Sequence, residues 1–374
     1  MGYLSNRRLS SMRYRAVNAA KAVNCLYIPY LKSRYYSDEF RPLLSYLFTE
    51  WRCNINCSYC YTWDNRVEGM TLEVAKRSMD WLKTVGCRLV AIMGGEPLMR
   101  KDFILDVIRY GKNNGFFMYL PTNGILMDEA FIDRVGEAGV AGVNLALDTV
   151  EEKPGLPKSF ERVRPQFEYL VRQREKYGYI VFFNINITSD NMEDVRRLTE
   201  IAHDYNIGTD YHINEMPIVE QEHYKNGAGG CWITEDCYPE VDELLDWIID
   251  RNKKGYPMVN SIEHLNAMKG FVRHESKPWA CRAGHNSLVV RLDGTLAPCF
   301  ELYSSKKDWG KIFAPKFDPL ALTRQKKECN PKCLSTCNYQ IAHYYENNRR
   351  ALQWIYKHFH KGFFQGMPMN DSVH

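Results

Sequence analysis

Apolar residues recur along this chain with two alternating periods. Short β-branched or aromatic runs fall at 44–51, 88–93, 116–120, 142–147, 180–187 and 210–214. Between them, apolar residues stand three and four apart. Thr71 is suited to cap a helix running to about Gly86, with Ala75, Met79, Leu82 and Val85 on its buried face. Phe103, Val107, Ile108 and Gly111 form a second stripe, and Phe131, Ile132, Val135 and Ala138 a third. Strands alternating with helices predict βα units on a parallel sheet. Six such strands, rather than eight, predict an α/β fold: an open, partial (β/α)6 barrel of the TIM type spanning 41–237. Chemistry in α/β barrels collects at the C-terminal strand ends.

The flanks are organised differently. Residues 1–40 form a basic, aromatic segment in which Met12, Ala16, Ala20, Val23 and Tyr27 recur at helical spacing. The simplest expectation is a helix docked on the barrel with its basic face in water. The alternative is a helix lying on an anionic membrane surface, with Tyr14, Tyr27 and Tyr30 at headgroup level. Residues 216–237 read as a long loop, in which Cys231 and Cys237 are expected to be unpaired structural cysteines; Cys25 and Cys87 read as packing residues. A helical linker spans 238–280, with Val241, Leu244, Leu245, Ile248 and Ile249 inward. A cysteine-rich unit follows over 281–345. It contains two strand runs joined by Asp293-Gly294, which predicts a type I′ hairpin turn. A basic, aromatic tail covers 346–374.

Charge and cysteine usage narrow the classes. The chain has 374 residues and a net charge of +4, too mild to argue for nucleic acid. No apolar run is long enough to span a bilayer, and no signal peptide is visible. Of twelve cysteines, those at 53, 57, 60, 281, 299, 329, 333 and 337 fall into metal-like groups. That pattern favours a reducing cytoplasm over a disulfide framework, with a peripheral place on the inner face of the membrane as the alternative.

The sharpest chemistry lies directly after the first strand run, in Cys53-Asn54-Ile55-Asn56-Cys57-Ser58-Tyr59-Cys60. Three thiolates fall one short of a closed structural zinc site. A 4Fe–4S cluster held by three cysteines keeps one iron open for another ligand. The second strand run ends in Gly94-Gly95-Glu96-Pro97, and the third in Thr122-Asn123-Gly124. These three motifs, in this order and each at a strand end, resemble the radical S-adenosylmethionine (SAM) superfamily. The resemblance implies that Cys53, Cys57 and Cys60 hold the cluster and that SAM chelates its open iron through amino and carboxylate groups. It further implies that Gly94, Gly95, Glu96 and Asn123 line the SAM site, with Tyr59 beside the adenine and Asp148 near the ribose. His212, Glu215 and Asn186, polar residues near later strand ends, are the candidates for chemistry on substrate, and Asn184 shares the face of Asn186.

In the C-terminal unit, a hairpin would bring Cys281 and Cys299 together near its open end, and Cys329, Cys333 and Cys337 follow in one short run. Two cysteines from each group would complete a four-thiolate site, for zinc or an iron–sulfur cluster. This unit resembles the SPASM or Twitch extension of radical SAM enzymes. With five cysteines, the resemblance implies one auxiliary 4Fe–4S cluster, held by Cys281, Cys299, Cys333 and Cys337, with Cys329 as the alternative ligand. The implied activity is reductive SAM cleavage followed by hydrogen abstraction, giving an oxidation or a bond formation, with a flavodoxin- or ferredoxin-type electron donor. A small molecule or a peptide is the expected substrate, and a lipid is the alternative that the basic aromatic N-terminus suggests. The rival outside enzymology is a cysteine-rich metal-binding scaffold without turnover.

Overall fold

The computed structural model describes residues 2–35, 40–60, 65–214, 218–219, 231–347 and 349. Six strands, β1 (Leu44–Glu50), β2 (Leu89–Gly94), β3 (Phe117–Thr122), β4 (Gly142–Ala146), β5 (Ile180–Ile187) and β6 (Gly208–Ile213), pair in chain order, each parallel to the next. Alternate residues divide the sheet into two faces. Leu47, Val90, Ile92, Met118, Leu120, Val143, Val181 and Phe183 point outward, and all are 0 % exposed. They pack on the apolar faces of α3 (Leu72–Thr84), α4 (Lys101–Asn113), α5 (Glu129–Ala138), α6 (Phe160–Tyr177) and α7 (Met192–Asp204), as the helical stripes predict. Thr71 caps α3, its side chain accepting from the Val74 N–H at 3.2 Å. Tyr46, Ala91, Phe117, Tyr119 and Phe182 point the other way, into the bore of the partial barrel.

The hairpin continues this same sheet. β7 (Ser287–Val290) lies parallel to β1 on the side away from β2, and β8 (Leu296–Ala297) returns antiparallel to β7. Its turn differs from the expected type I′, which needs two left-handed residues. Only Gly294 is left-handed there, with φ +81. The Gly294 N–H donates to the Arg291 carbonyl at 3.0 Å, and the Arg291 N–H donates to the Thr295 carbonyl at 2.8 Å. That is a type I turn closed by a glycine bulge. Asp293 stays out of the left-handed region because its carboxylate accepts from the Thr295 N–H and hydroxyl, at 2.9 and 2.7 Å.

An open barrel leaves a seam beside β6. The segment after α8 (Tyr238–Lys253) covers that edge first: the Thr209 N–H donates to the Pro257 carbonyl at 3.1 Å, and the Val259 N–H to the Thr209 carbonyl at 2.8 Å. Asn260 satisfies both backbone groups of Tyr211, accepting at 2.7 Å and donating at 2.8 Å. Past α9 (Ile262–Val272) and α10 (Pro319–Cys329), the helix α11 (Thr336–Glu346) spans the gap. The Thr336 hydroxyl donates to the Tyr211 carbonyl of β6 at 3.3 Å, and the Ser287 hydroxyl of β7 donates to Asn338 at 2.6 Å.

The N-terminal helices α1 (Gly2–Ala22) and α2 (Ile28–Tyr35), joined by a π-turn over Val23–Tyr27, lie across the N-terminal ends of the strands. The docking face is not the stripe that the spacing singles out. Met12 is 67 % exposed, and Ala16 and Ala20 also face out. Tyr14, Asn18, Cys25 and Tyr30 are buried instead. Hydrogen bonds decide the rotation of α1: the Tyr14 hydroxyl donates to the Tyr179 carbonyl at 3.0 Å, and the Lys21 ammonium to the Gly178 carbonyl, at the end of α6, at 2.6 Å. None of the described helices is long and apolar enough to cross a membrane.

Asn260→Ala strips the Tyr211 N–H of its partner and leaves the Tyr211 carbonyl only the Thr336 hydroxyl at 3.3 Å. It should cost about 1–3 kcal/mol, the penalty of one buried group left unpaired. A lowered denaturant midpoint with an unchanged m-value would record it.

Candidate functional site

The three loops with candidate motifs form one hydrogen-bonded body. Beyond β1, residues 50–52 stay alongside the end of β2: the Gly95 N–H donates to the Glu50 carbonyl at 2.7 Å, and the Glu96 N–H to the Arg52 carbonyl at 2.8 Å. Glycine is required there by contact. A Cβ at Gly94 would lie 2.4 Å from the Glu50 carbonyl oxygen, and one at Gly95 would lie 2.4 Å from that of Arg52. Glu50, buried, accepts from the N–H groups of Trp51 and Arg52 at 3.0 and 3.1 Å and pairs with the Arg52 guanidinium. Cys53 therefore starts from a fixed backbone.

Glu96 ties the second loop to the third. Its carboxylate accepts from the Leu98 N–H (2.9 Å), the Thr122 hydroxyl (2.7 Å) and the Asn123 N–H (2.8 Å). Burial pushes its carboxyl above the usual range, and these three donors pull it back. The Asn123 amide in turn donates to Asn54 of the cysteine loop at 2.9 Å. Thus Gly94, Gly95, Glu96 and Asn123 all meet the segment that carries Cys53, Cys57 and Cys60.

Tyr59 and Asp148 meet directly. The Tyr59 hydroxyl donates to Asp148 at 2.6 Å, and Lys158 donates to that hydroxyl at 2.7 Å. Asp148 is buried, and burial pushes its carboxyl up against the pull of Lys158 and Tyr59. Lys158 is the functional residue that the sequence hid, in an irregular loop between β4 and α6. Burial works against its charge, yet Asp148, Cys57, Cys60 and Cys53 offset that and hold its pKa above the ordinary lysine range. Burial likewise pushes the Cys53 thiol up to about 11 and raises that of Cys57 further. Such thiols become ligands only when a metal takes the place of their protons. Among the described residues, no three His, Cys, Asp or Glu side chains stand at metal-holding distance as placed. The fit to a cluster is one of donor type: three soft thiols in one loop with a lysine beside them.

The substrate-side candidates separate. His212 meets Asn184 at 2.9 Å and Asp210 at 3.4 Å, and faces the bore. Asn186 is nearer the strand end, where its amide nitrogen is buried with no hydrogen-bond partner among the described residues. Glu215 lies outside the described residues. Cys231 is buried against the cysteine loop, 3.1 Å from the Ser58 hydroxyl.

The C-terminal cysteines are sorted by one clamp. Asn330 accepts from the Trp279 N–H at 3.1 Å and donates to its carbonyl at 2.6 Å, while the Trp279 indole donates to the Cys333 carbonyl at 2.9 Å. This fastens the Cys281 segment to the Cys329–Cys333 run. Cys299, raised by burial, also feels the charges of Cys333 and Cys281, and Cys329, pushed up to about 11 by burial, feels Cys281. Lys326 interacts with Cys281, Cys299 and Cys329. Cys337 goes elsewhere: it sits in the first turn of α11, and the helix rotates it into the bore against Tyr46. Cys281, Cys299, Cys329 and Cys333 are thus electrostatic neighbours, while Cys337, expected as a ligand with Cys329 as the alternative, faces the bore.

Residues 52–216 match the family model described as the radical SAM superfamily, so the chain carries a radical SAM domain. It is 28% identical over 158 residues to the AdoMet-dependent heme synthase of Methanosarcina barkeri, covering 40% of this chain and 44% of that protein. It is 34% identical over 206 residues to the GTP 3′,8-cyclase of Chlorobaculum tepidum, covering 51% of this chain and 61% of the other. The chain spans about half the length of the curated relatives it matches. Among solved structures, anSMEcpe with bound AdoMet and the Cp18Cys peptide aligns at TM-score 0.55 and 19% identity, over 85% of this chain and 99% of the other. That likeness is one of fold.

Gly95→Ala would drive a methyl group into two backbone carbonyls, those of Arg52 and Trp51, at 2.4 and 2.6 Å. Neither can yield as a side chain would. The variant should keep its helical circular dichroism but bind SAM at least about tenfold more weakly, a loss of about 1.4 kcal/mol, measured by equilibrium dialysis after anaerobic reconstitution.

Proposed function

We propose that this radical SAM enzyme cleaves SAM reductively and uses the resulting radical to take a hydrogen atom from a substrate seated in the barrel bore. What carries the reading is the convergence of Cys53–Cys60, Gly94–Glu96, Asn123 and the Tyr59–Asp148–Lys158 group at the C-terminal ends of neighbouring parallel strands. When bound, the cluster and SAM supply one-electron cleavage to methionine and a 5′-deoxyadenosyl radical.

The chain's own residues do the rest. Cys53, Cys57 and Cys60 hold the cluster. The glycine pair lets residues 50–52 lie against the β2 loop, and Glu96 fixes the β2 and β3 loops around the SAM site. Tyr59 bears on the adenine and Asp148 on the ribose, with Lys158 keeping the Asp148 carboxylate charged. A flavodoxin- or ferredoxin-type protein delivers the electron. A second cluster, of the Twitch kind, is held by Cys281, Cys299, Cys329 and Cys333. The relatives' names speak of heme and of GTP, so their shared part is the SAM chemistry, and the bore decides the substrate.

Two variant sets test these assignments. Replacing Cys53, Cys57 and Cys60 together with Ala should abolish 5′-deoxyadenosine formation with SAM and dithionite; persistent product would sink the assignment. Cys299→Ala with Cys329→Ala should remove about four irons per chain, one 4Fe–4S cluster's worth, while uncoupled SAM cleavage continues. Cys337→Ala should leave the iron content unchanged, and a loss of iron there would restore Cys337 to the ligand set.

A further inference from the structure

The bore encloses about 330 Å³, a volume at the lower end for small-ligand pockets. It has two zones. Toward the N-terminal strand ends its wall is Leu26, Leu44, Leu89, Phe117, Ile180 and Phe182. Leu26, Leu44 and Leu89, which line this end beneath the N-terminal helices, are only partly buried. A polar band of the wall starts with Asn144, level with Phe182, continues one step further along with Asn184 and Asp210, and ends with His212, level with Asn186.

Two acceptors in that band have no hydrogen-bond partner among the described residues: Asn144 Oδ1 and Asp210 Oδ1. Asn144 is only 2 % exposed, and its amide nitrogen is already taken by the Tyr119 hydroxyl. Buried acceptors call for donors. A ligand meeting both zones brings a hydroxyl or an amine N–H to the band and an alkyl or isoprenoid chain to the lower wall.

The helices that lie across this end carry exposed apolar side chains. Leu26 and Tyr30 line the bore, while Met12 (67 %), Val17 (39 %), Ile28 (39 %) and Tyr35 (82 %) are exposed on α1 and α2. Exposed Arg13, Lys32 and Arg34 accompany them. Apolar side chains set among cations suit an anionic lipid surface.

We infer that the substrate is a membrane-derived amphiphile, its chain in the lower bore and its donor group at Asn144 and Asp210, beneath the SAM site; this rests on the radical SAM reading above. The probes are 1-decanol and its methyl ether, which has no donor, each titrated against the reconstituted full chain. One decanol should bind per chain, at least about tenfold tighter than the ether, a difference of the size one buried hydrogen bond supplies. Asn144→Leu should erase that preference while the ether still binds, which also shows that the variant is folded. Absence of decanol binding, or equal binding of alcohol and ether by the unaltered chain, would overturn the inference.

The source is tested by co-sedimentation with vesicles. Phosphatidylglycerol vesicles should carry the protein down, phosphatidylcholine vesicles should not, and Arg13→Glu with Lys32→Glu and Arg34→Glu should abolish the binding. Equal sedimentation with both lipids, or with neither, would remove the membrane as the source. 5′-Deoxyadenosine formation is measured on the same preparations. Decanol binding without SAM cleavage would defeat the proposed function and leave this seat standing. SAM cleavage without decanol binding would do the reverse.

Discussion

The site depends on one backbone contact. Residues 50–52 run alongside Gly94–Glu96 from the last residues of β1 and β2 onward, and only a pair of residues without Cβ atoms permits that approach. Everything at the barrel mouth hangs from it. Glu50 turns the chain toward Cys53 on one side, and Glu96 reaches across to Thr122 and Asn123 on the other. Three successive loops thus share one hydrogen-bonded frame. A loop of eight residues with three cysteines would otherwise lose much conformational entropy on binding a cluster. Here part of that ordering is done in advance by folding.

Electrostatics complement this frame. The protein matrix alone raises the thiols of Cys53, Cys57, Cys281, Cys299 and Cys329, chiefly by burial. A buried thiolate needs a metal or a cation beside it. Each cysteine group has a lysine among its electrostatic neighbours: Lys158 for the first, Lys326 for the second. The two differ in kind. Lys158 also faces Asp148 and keeps its proton firmly, whereas burial lowers the pKa of Lys326. Asp148 and the cysteines themselves both favour the charged form of Lys158, and the cysteines of the second group favour that of Lys326 against its burial.

Periodicity made the scaffold legible. The six parallel strands, the Thr71 cap and the outward helical stripes follow from spacings of two and of three to four residues, because burying apolar surface dominates there. Polar contacts overrode periodicity wherever reading failed. The rotation of α1 is set by Tyr14 and Lys21 reaching carbonyls at the end of α6, so its most regular apolar stripe faces out. Lys158 was unreadable because the loop around it, with Pro154, Gly155 and Pro157, has no period, and its role arises from a contact ninety-nine residues away in sequence, with Tyr59. The place of Cys337 in the bore turns on the helix start after Cys333, and a helical turn rotates a side chain in a way that a count of intervening residues does not show.

That same helix start joins the two halves of the molecule. Cys333 accepts a hydrogen bond from the Ser335 N–H at 3.4 Å, and Ser335 is the residue that precedes α11. α11 then closes the seam between β6 and β7 and presents Cys337 to the bore, while its far end reaches α2 through the Tyr345 hydroxyl, which donates to the Ser33 carbonyl at 2.9 Å. One helix thus touches Cys333 at its start, the bore along its length and the N-terminal helices at its end. A ligand that fixes Cys333 restrains the first turn of the helix that seals the bore. The N-terminal helices lean on the last turn of that helix. In physical terms, the segment that carries Cys333 and the N-terminal helices are not separate appendages of a barrel but contacts at the two ends of its closing element.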